Sequence, residues 1–239
     1  PPYTERYVRW CERTGARRPL LLDLGSDKGK DKEATGKNWL RGRMVVTLEE
    51  LKGKVKGLLS QGRWEHTLRV ARTALELAAC LQLELEEGKI ETAALLHDCA
   101  KDLPLGEQLK KAGYFGIVLT SSDLLCPKTI HGRVAAGIAQ HEFGIRDPDI
   151  LRAIALHTTG GPRMSALAKL IFVADYLEPG RSFPGVEKLR ILAKRDLNGT
   201  VLACMEHTLL YLLRRGDFIH PRMIAARNYI LAAEDHTLV

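Results

Sequence analysis

The chain has 239 residues, 45% hydrophobic and 27% charged, enough apolar material for one large domain or one domain with an appendage. No run approaches the roughly 18–20 uninterrupted apolar residues of a membrane span, and residues 1–18 lack a signal-peptide apolar centre; a cytoplasmic protein with no membrane partner is expected. The net charge of +7 permits an anionic partner, while five singly spaced cysteines (Cys11, Cys80, Cys99, Cys126, Cys204) argue against a disulfide framework or a zinc ribbon.

Much of the positive excess lies in the first 60 residues, at Arg17-Arg18, Lys28–Lys32, Arg41-Gly42-Arg43 and Lys52–Lys56. It reads as a solvated basic stretch rather than a nucleic-acid site, so no specific nucleic-acid partner is expected. Residues 1–43 read as an N-terminal extension, with a polar, glycine-containing linker composition over Gly25–Lys32. Thr47-Leu48-Glu49-Glu50 is a capping box, placing the start of a functional domain near Met44 and its span over 44–239.

Helix then follows helix. Apolar spacing predicts helices over Leu48–Leu59, Arg63–Cys80 and Glu87–Lys101. Ile130–Phe143 is rich in small residues, which allows close helix packing. Asp147-Pro148 is an N-cap followed by Pro at the first helical position and opens a helix through His157. Ser165–Leu177, a long Val186–Arg215 and Arg222–Ala233 complete the set. Alternating strand patterns are essentially absent, so the fold class is all-α.

Five segments place a His or Asp beside an apolar helical face: Glu65-His66-Thr67, Leu96-His97-Asp98, Ile130-His131-Gly132, Leu156-His157-Thr158 and Ala174-Asp175-Tyr176. His97 follows Ala93 and Ala94, His157 follows Ala153 and Ile154, and Asp175 follows Ile171, at helical spacings that turn them toward the core. A carboxylate there is costly unless it is paired or binds a metal. Histidines and carboxylates from different helices are how a helical bundle holds metal ions in its core. Any one of these residues alone reads as an ordinary core side chain; together, four histidines and two aspartates point to a metal site. His141, His207, His220 and His236 are left out of it.

No cysteine is placed to join the set, so imidazole with carboxylate suits Fe, Mn, Co, Ni or Zn. Asp98 can reach inward beside His97 and bridge two ions. Paired ions about 3.5–4 Å apart suit phosphoester and phosphoanhydride hydrolysis. Lys101, Arg181 and, less strongly, Arg133 are candidate phosphate clamps, any of which is a surface cation if it points away. Thr158-Thr159-Gly160-Gly161 reads two ways, as a phosphate-binding turn or as a plain helix end.

The order His, His-Asp, His, His, Asp resembles the HD superfamily of metal-dependent phosphohydrolases. The words His97-Asp98-Cys99-Ala100-Lys101-Asp102, Ile130-His131-Gly132, His157-Thr158-Thr159-Gly160 and Asp175-Tyr176-Leu177-Glu178-Pro179-Gly180-Arg181-Ser182-Phe183-Pro184-Gly185-Val186 are more specific. From about Met44 to the C-terminus they resemble the YqeK family, HD-domain symmetrical bis(5′-nucleosyl)-tetraphosphatases. The resemblance implies an HD helical bundle with a di-iron centre that hydrolyses diadenosine tetraphosphate to two ADP. It implies one iron on His66, His97, Asp98 and Asp175, and another on His131, His157 and the bridging Asp98. It further implies phosphate contacts from Lys101, Thr158, Arg181 and Arg133, with Thr159 next in the same turn, and Asp102 orienting Lys101 or a water. An HD-type nucleotidase or alarmone phosphohydrolase is the alternative within the class, and a non-enzymatic RNA-binding module the alternative outside it. A homodimer is left open. Residues 1–43 fall outside the resemblance, and a fused nicotinate-nucleotide adenylyltransferase is one source for them.

Overall fold

The computed structural model describes residues 47–234; the extension expected over 1–43, the start near Met44 and His236 lie outside them. The described residues form eleven α-helices and one short 3-10 turn, with no strand among them, as the all-α reading requires. Helix α1 (Leu48–Leu58) starts on the expected capping box: Thr47 Oγ1 accepts from Glu50 N at 3.2 Å, and Glu50 Oε2 accepts from Thr47 N at 2.9 Å. Helices α2 (Gln61–Cys80) and α3 (Glu87–Leu96) follow and pack against each other.

The stretch between α3 and the Ile130 helix, to which the sequence pattern assigns no element, forms α4 (Leu105–Tyr114), α5 (Ser121–Leu125) and the 3-10 turn Pro127–Thr129. The second capping box, Thr120 with Asp123, fixes the start of α5. Helices α6 (Ile130–His141) and α7 (Pro148–Leu156) then pack on one another. Asp147 Oδ1 caps α7 by accepting from Asp149 N and Ile150 N.

Helix α8 (Ala166–Leu177) is the central element. Leu167, Ala168, Leu170, Ile171, Phe172, Val173, Ala174 and Leu177 are all buried, so it is apolar around most of its circumference and packs against α2, α7 and later helices. Ser165 caps it by accepting from Ala168 N. The single helix expected over Val186–Arg215 is two: α9 (Val186–Ala193) and α10 (Leu197–Arg215). Asp196 breaks the run because its carboxylate caps the second helix, accepting from Gly199 N at 2.9 Å. Helix α11 (Pro221–Glu234) closes the bundle against α10. No helix among the described residues is long and apolar enough to cross a membrane.

Candidate metal centre

Helix α3 ends at Leu96, not at Lys101 as the spacing predicts. The chain continues in tight turns, with Cys99 N donating to Leu96 O and Lys101 N to Asp98 O. His97 itself keeps helical backbone angles (φ −54°, ψ −40°), so Asp98 leaves the chain on a different side and reaches the same centre through its side chain. His157 likewise sits at the C-terminal end of α7, with Thr158 already in the following turn. His66 lies two turns into α2, His131 in the first turn of α6, and Asp175 in the last turn of α8.

These six residues converge. One ligand atom each from His66, His97 and Asp175 lie within 4.8 Å of one another, and so do those of His97, Asp98 and His157. The carboxylate of Asp98 is divided. Its Oδ1 is 3.0 Å from His131 Nε2 and 3.3 Å from His157 Nε2. Its Oδ2 is 3.7 Å from both His66 Nε2 and His97 Nε2. Asp175 Oδ1 is 3.1 Å from His66 Nε2. Gly132 allows this closeness: a Cβ there would meet His157 Cε1 at 3.2 Å and the Ala155 carbonyl at 3.3 Å.

The tautomers follow from the second nitrogens. His97 Nδ1 is 2.6 Å from Ala94 O, His131 Nδ1 is 2.9 Å from Lys128 O and His157 Nδ1 is 2.8 Å from Ile154 O. A carbonyl only accepts, so each Nδ1 carries the proton and each Nε2 turns a lone pair to the centre. His66 Nδ1 donates to the Glu178 carboxylate at 3.2 Å, with the same result. Four lone pairs therefore meet two carboxylates. His131 Nε2 and His157 Nε2 lie 3.1 Å apart, a repulsive approach between two acceptors. His66 Nε2, His97 Nε2 and Asp98 Oδ1 are buried with no hydrogen-bond partner. This donor set lacks positive charge at its middle, which a metal cation would supply.

The electrostatics agree. Burial pushes the His97 and His131 imidazoles down to about 4, so both stay neutral near pH 7 with their Nε2 lone pairs free. Burial alone would raise the carboxyls of Asp98 and Asp175. The surrounding histidines outweigh it at Asp98, and His66, the other histidines and Arg181 outweigh it at Asp175, holding both well below the usual carboxylate range.

The candidate phosphate contacts divide. Lys101 Nζ is 3.3 Å from His131 Nε2, at the edge of the cluster. Arg181 donates to Asp175 Oδ1 at 2.6 Å and to the Asp175 carbonyl at 3.0 Å. Thr158 is half-buried beside the cluster, its hydroxyl 3.5 Å from Thr129 O. Thr159 is buried and its hydroxyl donates to the Gly160 carbonyl at 3.0 Å. Arg133 is not brought to the centre: it donates to Asp123 Oδ2 and to Val118 O. Asp102 accepts from Ser60 N at 2.8 Å and lies 3.9 Å from Arg63 Nε, so it faces the start of α2 rather than Lys101.

Three residues of this region are not singled out by the sequence pattern. Arg63 donates to Asp98 Oδ2 at 2.9 Å; its spacing of three before His66, one helical turn, was the available signal. Glu178 is 2% exposed and accepts from His66, from Arg69 Nε at 2.5 Å and from Gly180 N at 2.6 Å. Arg69 is its ion-pair partner.

Helical frame and divided histidine–aspartate cluster together are those of a metal-dependent HD-domain hydrolase, and the HD domain model matches residues 63–180. A symmetrical bis(5′-nucleosyl)-tetraphosphatase of Halalkalibacterium halodurans is 40% identical over 74% of this chain and 93% of that protein. One from Staphylococcus aureus is 37% identical over 77% of this chain and 94% of its own length. A crystal structure of a predicted HD superfamily hydrolase involved in NAD metabolism from Clostridium acetobutylicum superposes with a TM-score of 0.75. It shares 36% identity and covers 78% of this chain and 98% of that one. The chain belongs to the YqeK-type family of HD-domain symmetrical bis(5′-nucleosyl)-tetraphosphatases.

Proposed function

We propose that this chain hydrolyses diadenosine tetraphosphate and related dinucleoside polyphosphates symmetrically, releasing two nucleoside diphosphates. The division of Asp98 between two pairs of histidines carries the reading. His66, His97, Asp98 and Asp175 would hold one cation, and His131, His157 and Asp98 the other. Iron is our assignment for both, with Mn, Co, Ni and Zn as the comparison set for an imidazole–carboxylate site. When bound, two cations would supply an acidified water and offset negative charge on the phosphoryl oxygens.

The chain's own groups orient the substrate. Lys101 and Arg181 flank the cluster on different elements and can hold phosphoryl oxygens on either side of the scissile bond. Thr158 adds a hydroxyl beside His157. Glu178 fixes the His66 tautomer, and Asp102 with Asp98 fixes Arg63. Water attacks one of the two central phosphorus atoms, and the bond from that phosphorus to the oxygen joining the central pair breaks. One ADP leaves with that oxygen, the other gains the water oxygen, and the water protons pass to solvent. In this reading the catalytic part runs from about Met44 onward, and removing residues 1–43 leaves hydrolysis intact.

The test is chromatographic product analysis with diadenosine tetraphosphate across Fe, Mn and Co, using wild type and Asp98→Ala. ADP as the sole nucleotide product is expected, with loss of turnover in the variant. AMP plus ATP would overturn the symmetrical assignment, and no turnover with any of these metals would overturn the activity. Parallel assays with nucleoside monophosphates and alarmones separate the other HD chemistries.

A further inference from the structure

The turn that follows α8 carries two groups of the site on one short stretch. Glu178 stands behind His66, and Arg181 lies on Asp175. Arg181 N donates to Glu178 O at 2.8 Å and closes the turn. Its outer side is held by a residue that bonds none of the six clustered side chains. Arg190, in the middle of α9, donates through Nε to Leu177 O at 2.9 Å, and through Nη2 to Glu178 O at 2.8 Å and Arg181 O at 2.9 Å. Its Nη1 pairs with Glu187, one helical turn earlier. One planar guanidinium therefore ties the end of α8, where carbonyls lack intrahelical partners, to the far end of the turn. A point-like ammonium could not span all three acceptors. Leu177, Pro179 and Arg190 also border a cleft of about 470 Å³, so the turn faces open space there rather than a packed wall.

We propose that Arg190 is a positioning residue that acts through Arg181: it fixes the main chain from which the Arg181 guanidinium reaches the phosphoryl groups. The two groups on the turn are not equally secured. The Glu178 carboxylate is buried and has three partners of its own, His66, Arg69 and Gly180 N. The Arg181 main chain is held by Arg190 directly and by the Glu178 carbonyl that Arg190 also bonds. Loosening the turn should therefore cost turnover without costing metal. The inference rests on the reading of Arg181 as a phosphoryl contact given under Proposed function.

The experiment compares wild type, Arg190→Met, Arg190→Lys, Arg181→Met and the double variant Arg190→Met with Arg181→Met, as full chains loaded with Mn and shown to be folded by thermal melts. Amide hydrogen exchange reads the turn without turnover, and kcat with diadenosine tetraphosphate reads the reaction. In Arg190→Met the Arg181 amide should exchange about 10-fold faster, the equivalent of one lost charge-assisted bond. Metal content should stay at the wild-type level, and kcat should fall about 100-fold, the cost of a misplacement of about 1 Å. In the Arg181→Met background the same change should lower kcat no further. Arg190→Lys keeps the charge and the stem, so it tests the geometry even where Arg190→Met does not fold, and its Arg181 amide should also exchange faster. Unchanged exchange at Arg181 overturns the brace. An equal fall in kcat in both backgrounds, or loss of metal from Arg190→Met, overturns the action through Arg181. Wild-type behaviour of Arg190→Lys in both readouts overturns the need for three carbonyl bonds. A wild-type chain that makes no ADP, with exchange at Arg181 still raised in Arg190→Met, overturns the reaction and leaves the brace standing.

Discussion

Glu178→Gln isolates what a buried carboxylate does for a ligand it touches from behind. Glu178 offers two oxygens to three donors: Oε1 to His66 Nδ1, and Oε2 to Arg69 Nε and Gly180 N. Glutamine replaces one oxygen by an NH2 group. If that group faces His66, donor meets donor and the imidazole must change tautomer, turning its N–H toward the metal position. If it faces the other way, it confronts Arg69 and Gly180 and unpairs the half-exposed Arg69 guanidinium. Loss of such a partner behind a ligating histidine typically costs 10–100-fold in metal affinity, or roughly 1.4–2.7 kcal/mol. Only the cation on His66, His97 and Asp175 should weaken; the His131–His157 side has no contact with Glu178 and should keep its affinity. Metal titration of chelator-treated protein, followed by counting bound metal per chain, reads both effects. Equal weakening of both ions, or no change in either, would refute this role for Glu178.

Three further outcomes follow from the same geometry. In metal-free protein His97 and His131 titrate at about 4 folded and at about 6.5 unfolded. The unfolded chain therefore takes up protons first, and stability falls from about pH 6.5 to pH 4 by roughly 3 kcal/mol per histidine; a flat urea midpoint from pH 7 to pH 4.5 would contradict this. Gly132→Ala places a methyl against His157 and the Ala155 carbonyl, so we expect a cost of about 1 kcal/mol or more and weakened metal binding on the His131–His157 side, read by thermal melts with and without Mn. Lys101→Met should lower kcat about 100–1,000-fold while metal content stays at the wild-type level; loss of metal would show that Lys101 supports the ligands instead.

The parts of this protein legible in the sequence are those set by local rules. Thr47 with Glu50, Asp147-Pro148 and Ser165 mark helix starts because capping needs only neighbours within three residues. Asp196 follows the same rule, yet it sits inside an otherwise periodic apolar run and the period hides it. The six clustered His and Asp residues stand out because polar groups at the ends of apolar helical stretches are expensive. Glu178 does not stand out, since its burial depends on His66 and Arg69, more than 100 positions away in the chain. Arg133 misleads for a local reason: two residues after His131 it leaves the helix on another side, and reaches Asp123.

Three of the clustered histidines bond the carbonyl three residues behind them, and this links helix ends to site geometry. In a continuing helix the Ala94 carbonyl would receive the Asp98 N–H, and the Ile154 carbonyl the Thr158 N–H. His97 and His157 take those carbonyls with their own Nδ1 protons instead. The bond that fixes each tautomer thus competes for the carbonyl the next helical residue would use, and at both places the regular helix ends. Asp98 follows directly, with its two oxygens toward different histidine pairs. The histidine at 97 therefore contributes twice, once through its Nε2 lone pair and once through the Nδ1 bond at the end of α3. Asp175 needs no such device, because it stays within the last turn of α8 and is carried to the centre by the packing of that buried helix against α2 and α7.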